Sequence, residues 1–226
     1  DNGVIACAKH FPGHGDTATD SHHALPVLDF PMERLDTLEL YPFRRLMDDG
    51  VEMVMVGHLQ VPALDSLPAS VSYNVITGLL RNRMNYEGII TTDALNMKGV
   101  LAPFDGSYER AALGAYIAGA DILLMPKHIT ESIDLIVNYI GNDPKKLEDL
   151  DRRVSRILMM KIICGKLLIS RESTHAVAYD EFFKGSRDNK LSHKRLHLIP
   201  GDLMIDPAQV SPAATSTLIK RINAGI

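Results

Sequence analysis

The sequence predicts an α/β fold, the C-terminal half (strands five to eight) of a (β/α)8 barrel, followed by an irregular C-terminal tail. Three observations predict it. Apolar runs of strand length alternate with segments of helical periodicity, four times over. The connections are short, which calls for a parallel sheet with right-handed crossovers. His10, His58 and Asp93 fall at the C-terminal ends of those runs, the rim at which barrels carry their chemistry. A doubly wound sheet also binds ligands there, but no Gly-x-Gly-x-x-Gly turn or phosphate loop opens a helix. Four βα units are half of what a barrel needs, so residues 1–165 are assigned to the second half of a catalytic barrel and 166–226 to a tail.

Taken in order, residues 4–8 form a short apolar run between Gly3 and Lys9, with Cys7 expected in the core. The stretch from Lys9 to His22 follows, with three His and two Asp; Pro12, Gly13 and Gly15 prevent regular structure there. A helical pattern then runs from Pro31 through Leu35, Leu38, Phe43 and Leu46 and stops at Gly50. Residues 51–58 are the second strand, apolar enough for a parallel sheet despite Glu52, with a histidine at its C-terminal end. A loop containing Pro62 and Pro68 leads to a helix over 72–85, with Val75, Ile76, Leu79, Leu80 and Met84 on one face. Residues 88–93 are the third strand, ending in a carboxylate, and 108–118 a helix whose alanines allow close packing. Residues 119–126 read as the fourth strand, and 132–140 and 146–164 as further helices. From about Ser170 the periodicity fades and Pro200, Gly201, Pro207 and Pro212 interrupt the chain, so this part reads as a linker with a short helix near 215–222.

Composition bounds the function. The chain has 226 residues, 46% of them hydrophobic and 23% charged, enough for one globular domain with a substantial core. A net charge of −4 without a Lys/Arg block gives no footprint for nucleic acid and suits a neutral or mildly polar substrate. Two cysteines, Cys7 and Cys164, make neither a disulfide framework nor a zinc motif. No run reaches the roughly 20 apolar residues of a membrane span. The chain opens on Asp1 and not Met, and a processed or partial chain is the expectation.

Several side chains can carry chemistry. A carboxylate at the end of an apolar strand, Asp93, is either satisfied by backbone N–H groups or kept for function at the rim. Asp20 can fix the tautomer of His22 and raise its basicity, leaving the other ring nitrogen for proton transfer; otherwise both are solvated loop polars. Lys9 and His10 can bond the hydroxyls or amide of a polar ligand, or serve as a solvated lysine and a core histidine satisfied by a carbonyl. His14, Asp16, His22 and His23 raise a metal site, but there is no His-Glu-x-x-His helix and the glycines argue against a rigid cage; no metal and no cofactor are expected.

The motifs Lys9-His10-Phe11-Pro12-Gly13-His14-Gly15, Asp20-Ser21-His22, Pro68-Ala69-Ser70 and Thr91-Thr92-Asp93-Ala94-Leu95-Asn96-Met97, in this order, resemble glycoside hydrolase family 3, over residues 3–161. The spacing of Asp-Ser-His from the first motif resembles the β-N-acetylglucosaminidase (β-N-acetylhexosaminidase) branch. The resemblance implies a retaining, exo-acting hydrolase on a (β/α)8 barrel that removes terminal β-linked N-acetylglucosamine, with peptidoglycan (muropeptide) fragments as substrates. It implies Asp93 as the nucleophile that forms a glycosyl-enzyme. His22, held by Asp20, would be the general acid and then the base, and Lys9, His10 and His58 would contact the sugar. The resemblance leaves the compartment open between bacterial cytoplasm and periplasm or secretion. Early barrel strands that supply an Asp and an Arg to the sugar in the family have no counterpart here. Two other readings stand beside it: a noncatalytic fragment or carbohydrate-binding remnant of such an enzyme, and a metal-dependent hydrolase using the His-rich loop.

Overall fold

β1 (Cys7–Phe11) starts later than the apolar run that announces it and extends into the Lys-His-Phe segment. It belongs to a computed structural model that describes residues 4–15 and 25–164. Asp16, Asp20, His22, His23 and the tail with its expected helix at 215–222 lie outside the described residues. The described residues up to Met160 form one unit. The helix expected after Pro31 is divided into α1 (Met32–Arg34), a π-helical turn Leu35–Glu39 and α2 (Tyr41–Asp48). The division has a local cause. Pro42, in the first turn of α2, has no N–H to give to the preceding turn, and the Leu40 N–H reaches back five residues to the Leu35 carbonyl at 2.8 Å.

β2 (Met53–Val56) is the core of the second apolar run. The loop after it contains a small antiparallel hairpin, β3 (Gln60–Val61) with β4 (Asp65–Pro68), followed by a 3-10 turn Ala69–Val71. The next helix is π-helical over Asn74–Arg83, and Ser72 Oγ accepts the Val75 N–H at 3.1 Å at its start. β5 (Ile89–Thr92) is buried at every position. α3 (Tyr108–Ala118) matches its expected span: Ser107 accepts the Arg110 N–H at one end, and Gly119 in the left-handed region at φ 114° stops the other. α4 (Ile129–Ile140) and α5 (Pro144–Ile163) each begin slightly ahead of their apolar patterns.

The sheet is parallel, in the order β1-β2-β5, with Val56 opposite both Phe11 and Thr92. Phe11, Val54, Val56 and Ile90 pack with Leu28, Leu35 and Leu80 in the main core. A second cluster joins Leu95, Val100 and Leu101 to the alanines of α3. Two expectations are corrected. Cys7 is exposed: its neighbour Ala8 takes the core side at the start of β1, and an irregularity in the pairing with β2 between Ala8 and Phe11 brings Phe11 into the core three residues later. Residues 119–126 do not form a strand; a single parallel bridge joins Ile122 to Thr91. Backbone bonds persist at that bridge, from the Ile122 N–H to the Ile90 carbonyl and from the Thr92 N–H to the Ile122 carbonyl, each at 3.1 Å. Side chains take the next place on either side: the Thr92 hydroxyl accepts the Leu124 N–H at 3.1 Å and the Asp121 carboxylate accepts the Ile90 N–H at 2.8 Å.

Asp121 has no exposed side-chain surface and is clamped by Arg81 and Arg156, each at 2.8 Å. Arg81 also donates to the Gly88 carbonyl at 2.8 Å, so this cluster ties the entry of β5 to α5. Removing the charge leaves two guanidinium groups facing each other without compensation. Asp121→Asn is expected to cost about 3–5 kcal/mol of folding stability, read as a lowered urea midpoint; a loss below about 1 kcal/mol would mean that the cluster does not hold β5.

Candidate active site

Parallel strands in register bring their C-terminal ends to one edge of the sheet, and this is what assembles the site. His10 comes from β1, His58 lies two residues beyond β2, and Asp93 follows β5 directly. Asp93 is held by backbone. Its N–H donates to the Val56 carbonyl at 2.8 Å, and its Oδ1 accepts the Ala94 N–H at 2.7 Å. Its Oδ2 stands 4.0 Å from His10 Nε2, with 17% of the Asp93 side chain and 30% of the His10 side chain exposed. Burial lowers the pKa of His10, an effect that the nearby Asp93 carboxylate partly opposes. The edge therefore presents a fixed carboxylate beside an imidazole biased toward its neutral form.

His58 is buried. Its Nε2 lies 3.0 Å from the Ala94 carbonyl and its Nδ1 2.6 Å from Ser70 Oγ. A carbonyl can only accept, so Nε2 carries the proton and Nδ1 accepts from the Ser70 hydroxyl. Burial lowers the His58 pKa, which keeps this neutral tautomer. Both ring nitrogens are thus engaged within the protein, and neither is left for the sugar contact expected of His58.

On the β1 side, Lys9, His10 and His14 border a cavity of about 370 Å³ together with Glu39, Pro42 and Phe43. Asp93 does not line it. The His10 and His14 rings meet edge to face, with centroids 5.9 Å apart. Gly13 is required here: its φ is +134°, and a Cβ would lie 2.9 Å from Glu39 Cβ. Glu39 is itself buried, with Oε1 facing Arg34 at 3.3 Å and Oε2 without a partner.

The structure thus brings together His10, His58 and Asp93 and places Lys9, exposed, at the same strand end. Asp20 and His22 lie outside the described residues. Ser70 and Glu39 are additions to the residues read from sequence. Ser70 had a signal, since it ends the Pro68-Ala69-Ser70 motif; Glu39 had none, being one carboxylate in an amphipathic helical stretch. Among the described residues no three His, Cys, Asp or Glu are grouped to hold a metal ion. No helix among them is long and apolar enough to cross a membrane.

Comparison with known proteins gives consistent matches. The model of the glycosyl hydrolase family 3 N terminal domain matches residues 1–160. Beta-hexosaminidase A of Pseudoalteromonas piscicida is 38% identical over 184 residues, covering 70% of this chain and 30% of the relative. A beta-hexosaminidase of Chromobacterium violaceum is 41% identical over 123 residues, 54% of this chain and 34% of its own length. Among solved structures, a family 3 beta-N-acetylglucosaminidase from a Paenibacillus species superposes with a TM-score of 0.66 at 35% identity, covering 97% of this chain and 37% of that one. The chain spans about a third of the length of these relatives.

Proposed function

Because the chain belongs to glycosyl hydrolase family 3, we propose that it carries the reaction residues of a retaining exo-β-N-acetylglucosaminidase. Its substrates are terminal β-linked N-acetylglucosaminides, muropeptide fragments among them. On this reading residues 1–165 are the second half of the barrel, with β1, β2 and β5 as its strands five to seven and the single Ile122–Thr91 bridge in the place of the eighth. The observation that carries it is Asp93, a carboxylate at the C-terminal edge of a parallel sheet, with one oxygen fixed by a backbone N–H and the other beside His10. The names of the relatives, beta-hexosaminidase and beta-N-acetylglucosaminidase, support the substrate class.

The reaction runs in two displacements. Asp93 attacks the anomeric carbon while the glycosidic C–O bond breaks, and His22 gives its proton to the departing oxygen. The product of this step is an ester between the sugar and Asp93. His22, now neutral, takes a proton from water; the hydroxide oxygen bonds to the anomeric carbon and the Asp93 carboxylate leaves. Asp20 holds the His22 ring in the tautomer that both steps need. Lys9 and His10 bond hydroxyls of the terminal sugar. No cofactor enters this scheme.

The test is release of nitrophenol from 4-nitrophenyl N-acetyl-β-glucosaminide, by the chain alone and by the chain fused behind the early barrel half of a family 3 relative. Release by at least the fused form, unchanged by a chelator and with the β-anomer as first product by NMR, is expected. An α-anomer as first product would overturn the retaining mechanism, and no release from either form would favour a carbohydrate-binding remnant. Loss of activity with a chelator would favour the metal-dependent reading.

A further inference from the structure

We propose that His58 is a positioning residue for Asp93 and not a sugar ligand. The inference rests on the reading of Asp93 as nucleophile. A continuous chain of hydrogen bonds supports it: the Ser70 hydroxyl donates to His58 Nδ1, His58 Nε2 donates to the Ala94 carbonyl, and the Ala94 N–H donates to Asp93 Oδ1. The same turn is fixed at two further points. The Asp93 N–H donates to the Val56 carbonyl at 2.8 Å, and the Leu95 N–H to the Leu124 carbonyl at 2.9 Å.

Ala94 is therefore the residue through which His58 acts. Its N–H holds the carboxylate oxygen and its carbonyl is held by the imidazole, so a rotation of Ala94 moves Asp93 Oδ1 with it. An anomeric carbon must be met at close range and along one line, and a small displacement of the attacking oxygen costs rate without weakening substrate binding. Ser70 completes the device. It lies in the 3-10 turn after β4 with its side chain buried, and its hydroxyl donates to the Nδ1 that is left as acceptor once the Ala94 carbonyl has fixed the proton on Nε2.

In the active form defined by the nitrophenol assay, His58→Leu is expected to lower kcat about 10²-fold while KM stays within about threefold. His58→Gln, which places an amide donor near the position of Nε2, is expected to recover about tenfold of that loss. Ser70→Ala should also lower kcat and leave KM. A rise in KM at unchanged kcat would overturn the proposal in favour of a sugar contact. Equal losses in the Leu and Gln variants, or losses that disappear when rates are expressed per folded molecule, would overturn it in favour of simple packing. Nitrogen NMR of the His58 ring reads the device without any assay: a protonated Nε2 with a bare Nδ1 is expected, and the opposite tautomer would overturn the proposal. Asp93→Ala is measured alongside. If it retains turnover, the nucleophile reading falls and this inference with it; if it is inactive while His58→Leu keeps its kcat, only the positioning role falls.

Discussion

Asp93→Ala is expected to lower kcat by on the order of 10⁴-fold, and sodium azide to restore part of the activity on an activated aryl glycoside. The physics is specific to a covalent nucleophile. Alanine removes the attacking oxygens and leaves a small gap on the face of the sugar that Asp93 occupied. Azide fits that gap, attacks the anomeric carbon and expels the aryl oxide, so the product is the α-glycosyl azide. Alanine also leaves the Ala94 N–H without its Oδ1 acceptor, a bond of 2.7 Å in the native protein, and some loss could come from the turn relaxing. Asp93→Asn separates the two effects. Its amide oxygen keeps the Ala94 bond but is a poor nucleophile, and its bulk denies azide the gap. Both variants should be inactive and only the alanine one rescued. Retention of activity within about tenfold in Asp93→Ala, or an azide product of β configuration, would remove Asp93 from the role.

Much of this geometry is legible in the sequence, and the reasons for the exceptions are physical. β2 and β5 follow from apolar runs buried in a parallel sheet, where pattern and burial agree. α3 is legible to the residue because its ends are chemical, a serine cap and a glycine stop. β1 is misplaced by its own apolar run: Val4 is 81% exposed, and pairing with β2 pulls the strand toward Phe11. The fourth strand fails because the Thr92 and Asp121 side chains satisfy backbone groups that a ladder would have claimed, and residue type alone does not reveal that. The β3–β4 hairpin is too short for a periodicity.

The site divides in the same way. Placing His10, His58 and Asp93 at strand ends is enough to predict that they converge, because parallel register does the rest. What the strand ends do not reveal is direction. His58 turns inward to Ser70 and Ala94, twelve and thirty-six residues away in the chain, and a hydrogen bond across that separation has no local signature. The expected sugar ligand and the observed buried, fully bonded imidazole have the same sequence.

His22 gives the second large effect, and its signature is a dependence on leaving group. His22→Ala is expected to lower turnover of a β-linked N-acetylglucosamine disaccharide by about 10²–10⁴-fold, because a sugar oxygen leaves as an alkoxide unless it is protonated as the bond breaks. Nitrophenoxide carries its own charge well, so the glycosylation step on the aryl substrate should be affected far less. The second displacement still lacks its base on either substrate, and the glycosyl-enzyme should then accumulate. The expected record is a burst of nitrophenol equal to the enzyme present, followed by slow release, with the protein heavier by one N-acetylglucosaminyl group in mass spectra. Asp20→Asn should show the same pattern more weakly, since it removes the group that orients the ring and leaves the ring itself. Equal losses on both substrates with no burst would refute the acid and base roles of His22, and with them the dyad, while leaving the case for Asp93 standing on its own rescue experiment.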